Sequence, residues 1–254
     1  MTAEPSINFV VCGASGRTGS LVCEQIMRKQ ESHPWKLLAA VSHPGSTSIG
    51  KPCTSDPNAP EITANYAGPA DAVIDFSTPQ GTLTALQIAL NANAALLIAT
   101  TGLPDSTLQQ IDHASQKIPI IIAPNTSAGV TILLDTIRSI THSLGPETRV
   151  EIVETHHKHK KDAPSGTALA MSKVVAQAGA VMSPDQCHSM RGGGVIGEHM
   201  IRFFADDEYL EVRHVATSRN LFAAGAIRAA CWLTSRKKQP GLYTMMDVIR
   251  NEGC

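Results

Sequence analysis

Ile7-Asn8-Phe9-Val10-Val11-Cys12-Gly13-Ala14-Ser15-Gly16-Arg17-Thr18-Gly19 is the stretch that decides the fold. Its apolar start, INFVVC, reads as a buried strand. Glycines follow at 13, 16 and 19, and apolar residues then recur at Leu21, Val22, Ile26 and Met27, a helical spacing. Strand, glycine loop and helix in that order let a pyrophosphate sit on a helix N-terminus. One glycine allows the tight turn, another lets the backbone approach the phosphates, and a third lets helix and strand pack closely. Gly13, Ala14, Ser15, Gly16, Arg17 and Thr18 are therefore candidate dinucleotide-binding residues, with Arg17 able to add a phosphate contact. The competing reading is a structural βα turn with no ligand.

Outward from this stretch the grammar repeats. Strands are expected at 37–41, 72–76, 94–99 and 118–123. Helices are expected at 79–91, with Pro79 in the first turn, and at 105–116. Residues 43–70 read as loop with one short strand. The alternation across 7–123 implies right-handed βαβ crossovers and a Rossmann-type doubly wound parallel sheet, an α/β fold. With 43% hydrophobic residues but only 4% aromatic, the core is mostly aliphatic, which suits such a sheet.

In such sheets ligands bind at the carboxyl ends of strands. The second strand ends Val41-Ser42-His43-Pro44, without the carboxylate that would grip ribose hydroxyls. A 2′-phosphate then meets no repulsion, and Ser42 or His43 could donate to it, so NADPH is tolerated beside NADH. Otherwise the two residues merely begin a loop. Ala99-Thr100-Thr101 and Ala123-Pro124-Asn125-Thr126 end later strands and either line a nicotinamide pocket or form ordinary turns.

After residue 126 the pattern changes. A helix is expected at 130–144, a half-exposed strand at 149–155, a helix at 165–177 capped by Ser165 or Thr167, and two strands at 199–204 and 208–215 around the turn Ala205-Asp206-Asp207. This is a second, α+β domain with a mixed sheet. The apolar helix expected at 222–234 could close that domain or return to the first.

Within it stands Glu154-Thr155-His156-His157-Lys158-His159-Lys160-Lys161-Asp162-Ala163-Pro164-Ser165-Gly166-Thr167, with three imidazoles and three ammonium groups in six consecutive residues. They precede a helix start, whose free N–H groups and dipole favour an anion. A solvated basic face is one reading, and a metal site another, although the histidines point to mixed faces and no HExxH occurs. The third is a catalytic anion site: a histidine exchanges protons near pH ~6.5, and a lysine beside other cations gives up its proton more easily.

Other features bound the function. The formal net charge of −1 argues against a nucleic-acid partner recognised through bulk charge. No apolar run approaches the ~20 residues of a membrane span, and the N-terminus lacks the pattern of a signal peptide. The cysteines, Cys12, Cys23, Cys53, Cys187, Cys231 and Cys254, form no CxxC pair, so no metal is expected and a reducing cytoplasm is. Cys12 and Cys231 read as buried small hydrophobes.

The chain resembles the 4-hydroxy-tetrahydrodipicolinate reductase (dihydrodipicolinate reductase) family of the diaminopimelate–lysine pathway. The resemblance rests on GASGRTG (13–19), DFSTPQGTL (75–83), ATTG (99–102), APNTSAGV (123–130), EIVETHHKHKKDAPSGTALA (151–170), GEH (197–199) and SRNLFAAGAIRAACWL (218–233), which span nearly the whole chain in order. It implies a nucleotide domain of residues 1–126 and 220–254 and a substrate and tetramerisation domain of 127–219, with hinges near 125–129 and 217–219. It implies NADPH or NADH as cofactor, a small dicarboxylate as substrate and a homotetramer. By match to the motif, His156 resembles the catalytic proton donor or acceptor and Lys160 the proton donor. His157, Ser165, Gly166 and Thr167 resemble the binders of the substrate carboxylates. The chain departs from the family's usual residues at Ser42, Ala99 and Thr126. Runner-up readings are another two-domain reductase of a small dicarboxylate and a nucleotide-sensing regulator without catalysis.

Overall fold

Short aliphatic strands alternating with helices build most of the structure, a computed structural model that describes residues 6–235 and 239–251. The order is β1 (Ile7–Cys12), α1 (Arg17–Lys29), β2 (Trp35–Val41), β3 (Ile62–Thr63), β4 (Ala72–Asp75), α2 (Pro79–Ala92), β5 (Ala95–Ile98), α3 (Asp105–Ser115) and β6 (Pro119–Ile122). Then come α4 (Ala128–Leu144), β7 (Arg149–His156), α5 (Gly166–Gln177), β8 (Cys187–Arg191), β9 (Gly197–Phe204) and β10 (Tyr209–Ala216). α6 (Asn220–Ser235), β11 (Gly241–Tyr243) and α7 (Met245–Arg250) follow. The described residues fall into two compact units: those of 1–126 with those from 220 onward, and those of 127–219.

In the first unit, seven strands among the described residues form one sheet ordered β11-β6-β5-β4-β1-β2-β3, with every pair parallel. β4 (AVID) and β5 (ALLI) are buried at every position. Helices cover both faces, so the in–out alternation of a half-exposed strand is lost. Phe9, Ile74 and Leu97 face α1 and α6, while Val10, Leu96 and Ile98 face α2 and α3. Truncating one such leucine or isoleucine to alanine costs about 2–5 kcal/mol.

Local chemistry sets the helix ends. Thr78 accepts the N–H of Gly81 at 3.2 Å and Pro79 opens α2, while Asn93 ends it in the left-handed region at φ 49°. Gly19 lets α1 lie against the turn after β1, since a Cβ there would sit 2.1 Å from the Gly13 carbonyl oxygen. Winding reverses between β1 and β4, and the crevice for a ligand opens there, beyond the strand carboxyl ends.

The second unit holds a four-stranded sheet ordered β10-β9-β7-β8. β7 runs parallel to β8 and antiparallel to β9, so the sheet is mixed. Alternation is clean in β7: Val150, Ile152, Glu154 and His156 are buried, and the residues between are not. Leu133 and Ile137 of α4, with Met171 and Val175 of α5, pack on that face. Ser127 caps α4 through the N–H of Val130, and Ser165, not Thr167, caps α5 through that of Ala168.

Three elements and one cysteine differ from the sequence expectation. β8, β11 and α7 were not anticipated. β8 (CHSMR) has one neighbour, β7, and no apolar alternation. β11 is three residues on the sheet edge. The helix expected at 222–234 takes one of the two places left open to it, the first unit, where Ala223, Ala226, Ile227, Ala230 and Leu233 of α6 enter the core. Cys231, expected buried, is half-buried, while Cys12 is buried; Cys254 lies outside the described residues.

Candidate active site

In the first unit, the turn after β1 lines a cleft of about 440 Å³ together with the ends of β2 and β4. Gly13 takes φ +78°, and a Cβ on it would lie 2.3 Å from the Phe76 carbonyl oxygen, so only glycine fits. Gly16 stands at the N-cap of α1 with no side-chain cap, and the first turn has no acidic residue. Donors at that helix end are therefore left for an anion. Ser15, Gly16 and Arg17 are exposed, Thr18 is half-buried and Ala14 is buried. A glycine cradle at an uncapped helix start, in a cleft at the winding reversal, fits a dinucleotide.

Ser42 is buried, and its hydroxyl accepts the Ser15 N–H at 3.1 Å and donates to Ser15 Oγ at 3.0 Å. It shapes the glycine loop, and its own donor is engaged there. His43 is exposed on the cleft wall, with Nδ1 accepting from the Gly45 N–H at 3.0 Å, so Nε2 carries the ring proton. None of the side chains lining this cleft is acidic.

Ser77, Thr78, Gln80, Gly81 and Thr84 also line it. The motif 75–83 was legible, but these residues were not singled out from it. Asp75 ties one of them, Ser77, to the buried Thr82 and Thr100. It is fully buried and accepts from Ser77 Oγ (2.5 Å), the Ser77 N–H (3.0 Å), Thr82 Oγ1 (2.7 Å) and Thr100 Oγ1 (2.9 Å). Burial raises its pKa, and those donors oppose the rise.

Thr100 is thus tied inward beside buried Ala99, while Thr101 is exposed. Ala123 is buried, Pro124 exposed and Asn125 half-buried. Thr126 is buried and donates to the Phe222 carbonyl at 2.7 Å. These two segments end β5 and β6, adjacent strands of the same sheet.

In the second unit the cationic run separates by role. His156 is the last residue of β7 and is buried; His157 and Lys160 are half-buried on the following loop; Lys158, His159 and Lys161 are exposed. His156 Nδ1 lies 2.5 Å from Glu154 Oε2. Arg191 grips the same carboxylate with two prongs, Nη1 to Oε2 at 2.9 Å and Nη2 to Oε1 at 2.7 Å. The Ser165 N–H also donates to Oε1 at 3.2 Å. Burial pushes the Glu154 pKa up, but Arg191, Ser189 and His156 outweigh it and draw it down to about 2. Glu154 is therefore ionised under the histidine at neutral pH.

Lys160 meets an acid: its Nζ lies 2.8 Å from Asp162 Oδ2. The cationic neighbours expected from the sequence face solvent instead. Ser165 Oγ lies 3.0 Å from His199 Nε2, and the His199 ring packs edge-on against His156 at 5.1 Å. Burial first, then the neighbouring His156, lower the His199 pKa to about 4, so it stands neutral. Gly166 is exposed and Thr167 half-buried in the first turn of α5, which has no acidic residue. The arrangement offers anion donors at a helix start beside an ordered imidazole and an ammonium group.

Sequence reasoning had assigned no role to Glu154, Arg191 or His199. Two of them stood in quoted motifs, and Arg191 had no local signal. Among the described residues no cluster of His, Cys, Asp and Glu has metal-holding geometry, and no helix is long and apolar enough to cross a membrane.

Residues 7–126 match the model of the dihydrodipicolinate reductase N-terminus and residues 129–249 that of the dihydrodipicolinate reductase C-terminus. The 4-hydroxy-tetrahydrodipicolinate reductase of Magnetococcus marinus is 36% identical over 96% of this chain and 98% of its own length. That of Pseudomonas fluorescens strain SBW25 is 38% identical over 95% and 98%. A dipicolinate-bound dihydrodipicolinate reductase from Paenisporosarcina sp. TG-14 shares the fold at TM-score 0.77 and 22% identity, covering 94% of this chain and 98% of that one. With both halves matched in order and the relatives covered end to end, the chain belongs to the dihydrodipicolinate reductase family.

Proposed function

We propose that this chain reduces 4-hydroxy-tetrahydrodipicolinate to tetrahydrodipicolinate with NAD(P)H, in diaminopimelate and lysine biosynthesis. One hydride and one proton enter the cyclic dicarboxylate and water leaves. Reduced nicotinamide, when bound, supplies the hydride. Gly13 to Thr18 would hold the pyrophosphate, with His43 near the adenosine ribose and Ser42 shaping the loop. Ala99 to Thr101 and Ala123 to Thr126 would line the nicotinamide end.

The second unit handles the substrate. N–H groups at Gly166 and Thr167, with the Thr167 hydroxyl, take one carboxylate, and His157 takes the other. Ser165 keeps the helix start in shape as its cap. Lys160 Nζ and His156 Nε2 exchange the proton. The observation that carries this reading is the Glu154–His156 pair beside the open start of α5, which sets a proton-exchanging ring next to donors for a carboxylate.

The test mixes the protein with enzymatically generated substrate and follows NADPH absorbance. Substrate-dependent oxidation supports the reading; bound NADPH with no oxidation overturns it. In crystals soaked with pyridine-2,6-dicarboxylate, the ligand should touch His157 and Thr167.

A homotetramer assembled through the second unit's sheet in a cytoplasmic setting completes the proposal. The sheet face away from α4 and α5 carries Met190, Tyr209 and Val215, each about half exposed at 53%, 57% and 46%. Light scattering at working concentration should give four times the monomer mass.

A further inference from the structure

We propose that Glu154 is the positioning residue of the site: through one carboxylate it sets the tautomer and aim of His156 and anchors the start of α5. The inference rests on the function proposed above and adds a residue to it.

The geometry leaves Glu154 no other task. Its side chain is fully buried in a face that it shares with Val150, Ile152, Ile201 and Phe203 and with the imidazoles His156 and His199, where an unpaired charge would be expensive. Both oxygens are filled. Oε2 faces His156 Nδ1 and Arg191 Nη1; Oε1 faces Arg191 Nη2 and the Ser165 N–H. An ionised carboxylate only accepts, so the proton between Glu154 and His156 belongs to Nδ1. The neutral ring then has its lone pair at Nε2, which is the atom that exchanges protons.

Nε2 is kept clear by a second feature. Gly197 on β9 passes beside it, and a Cβ at that position would lie 3.1 Å from Nε2. The ring is thus pinned at one nitrogen and open at the other.

The same carboxylate spans two elements. Strand register brings Arg191 of β8 opposite His156 of β7, and Arg191 also donates to the Asp162 carbonyl at 2.6 Å. Ser165, whose N–H Glu154 holds, caps the helix that offers donors to the substrate. Proton-exchanging ring and anion-binding helix start are therefore fixed to one point. The charged and titratable groups around His156 are Glu154, Arg191, His199 and, on the loop beyond, Lys160 paired with Asp162. Carboxylates that fix the tautomer of a metal-bound histidine change affinity or activity by about 10–100-fold when removed, and Glu154 holds His156 by the same kind of contact.

The test compares wild type with Glu154→Gln and Glu154→Asp in the full-length protein. NADPH binding, followed by fluorescence, reports an intact first unit in each. In Glu154→Gln, kcat should fall by roughly tenfold or more. The solvent deuterium isotope effect on kcat should rise, and the effect from deuterated NADPH should shrink, because proton transfer has become slower than hydride transfer. Glu154→Asp, which keeps the anion, should recover part of the loss.

A purely structural defect lowers the active fraction and leaves both isotope effects at their wild-type values; that result overturns the proposal, as does a kcat within twofold of wild type. Should the variants not fold, ring ¹⁵N shifts of His156 in the wild-type protein decide. In the neutral ring they should report a protonated Nδ1 and a bare Nε2, and the opposite tautomer overturns the proposal. If wild type itself fails to oxidise NADPH, the parent reading has failed, and the ¹⁵N result still stands or falls alone.

Discussion

Gly225 of α6 lies so close to Thr126 that a Cβ built on it would sit 1.8 Å from the Thr126 carbonyl oxygen. α6 follows the whole second unit in the chain, yet its Phe222 carbonyl accepts from Thr126 Oγ1 at 2.7 Å. The loop after β6 is thus shaped by a helix nearly a hundred residues further on. Gly225→Ala forces helix and loop apart and should destabilise the first unit by about 1–3 kcal/mol, read as a lower calorimetric Tm. It should also weaken NADPH binding, because Thr126 moves.

Asp75→Ala removes the acceptor shared by the half-buried Ser77 and the buried Thr82 and Thr100. Donors stranded there cost of order 3 kcal/mol in sum. Denaturant titration should show that loss, and equilibrium dialysis a weaker NADPH affinity from a displaced Ser77–Thr84 wall. A variant as stable as wild type would remove Asp75 as the tie between Ser77 and its buried neighbours.

Lys160→Ala should lower kcat by a hundredfold or more, the scale of a lost general acid, while NADPH affinity stays within about twofold of wild type. Steady-state kinetics with a binding titration check both halves. Turnover at the wild-type rate would exclude Lys160 from proton transfer.

Cofactor preference follows from a cleft wall without acids. The wild-type kcat/KM should not favour NADH strongly; a thousandfold preference for it would contradict this. Ser42→Asp places a carboxylate at the end of β2, where a 2′-phosphate would meet it, and breaks the tie to Ser15. The ratio of kcat/KM for NADPH over NADH should fall by at least about tenfold, one unit charge at near contact being worth more than 1.4 kcal/mol at intermediate dielectric.

Acid sensitivity should come from His199. Unfolded, it titrates near the ordinary 6.5; folded, burial and then His156 lower it to about 4. Between those values the unfolded chain binds the extra proton, so stability is whole above pH 6.5 and drains as pH falls toward 4. The slope is up to about 1.4 kcal/mol per pH unit. His214, lowered by burial, adds in the same direction. Below pH 4.5 Glu154, depressed to about 2, continues the loss as it protonates. Calorimetry of His199→Gln from pH 7 to 4 should show a flatter decline than wild type; parallel curves would count against this.

The first unit was largely legible because parallel strands and their helices write themselves locally. Aliphatic runs such as ALLI at 95–98 can only be buried, and Pro79 announces a helix start before it is seen. Two edge strands, β8 and β11, left no such mark. CHSMR at 187–191 has polar residues on both faces, and pairing with β7 alone makes it a strand. The cationic run was conspicuous, but which of its members would be buried was not. Lys158, His159 and Lys161 turned to water, while His156 went inward with Glu154.

From the chain alone came most of the elements, the glycine loop and a helix start at Ser165 or Thr167, because periodicity and capping act over a few residues. Only the tertiary structure decided which charges meet. Glu154 and Arg191 stand 37 positions apart and Ser165 and His199 stand 34 apart. Strand register joins the first pair and the packing of α5 on the sheet joins the second, and neither is written in any local pattern.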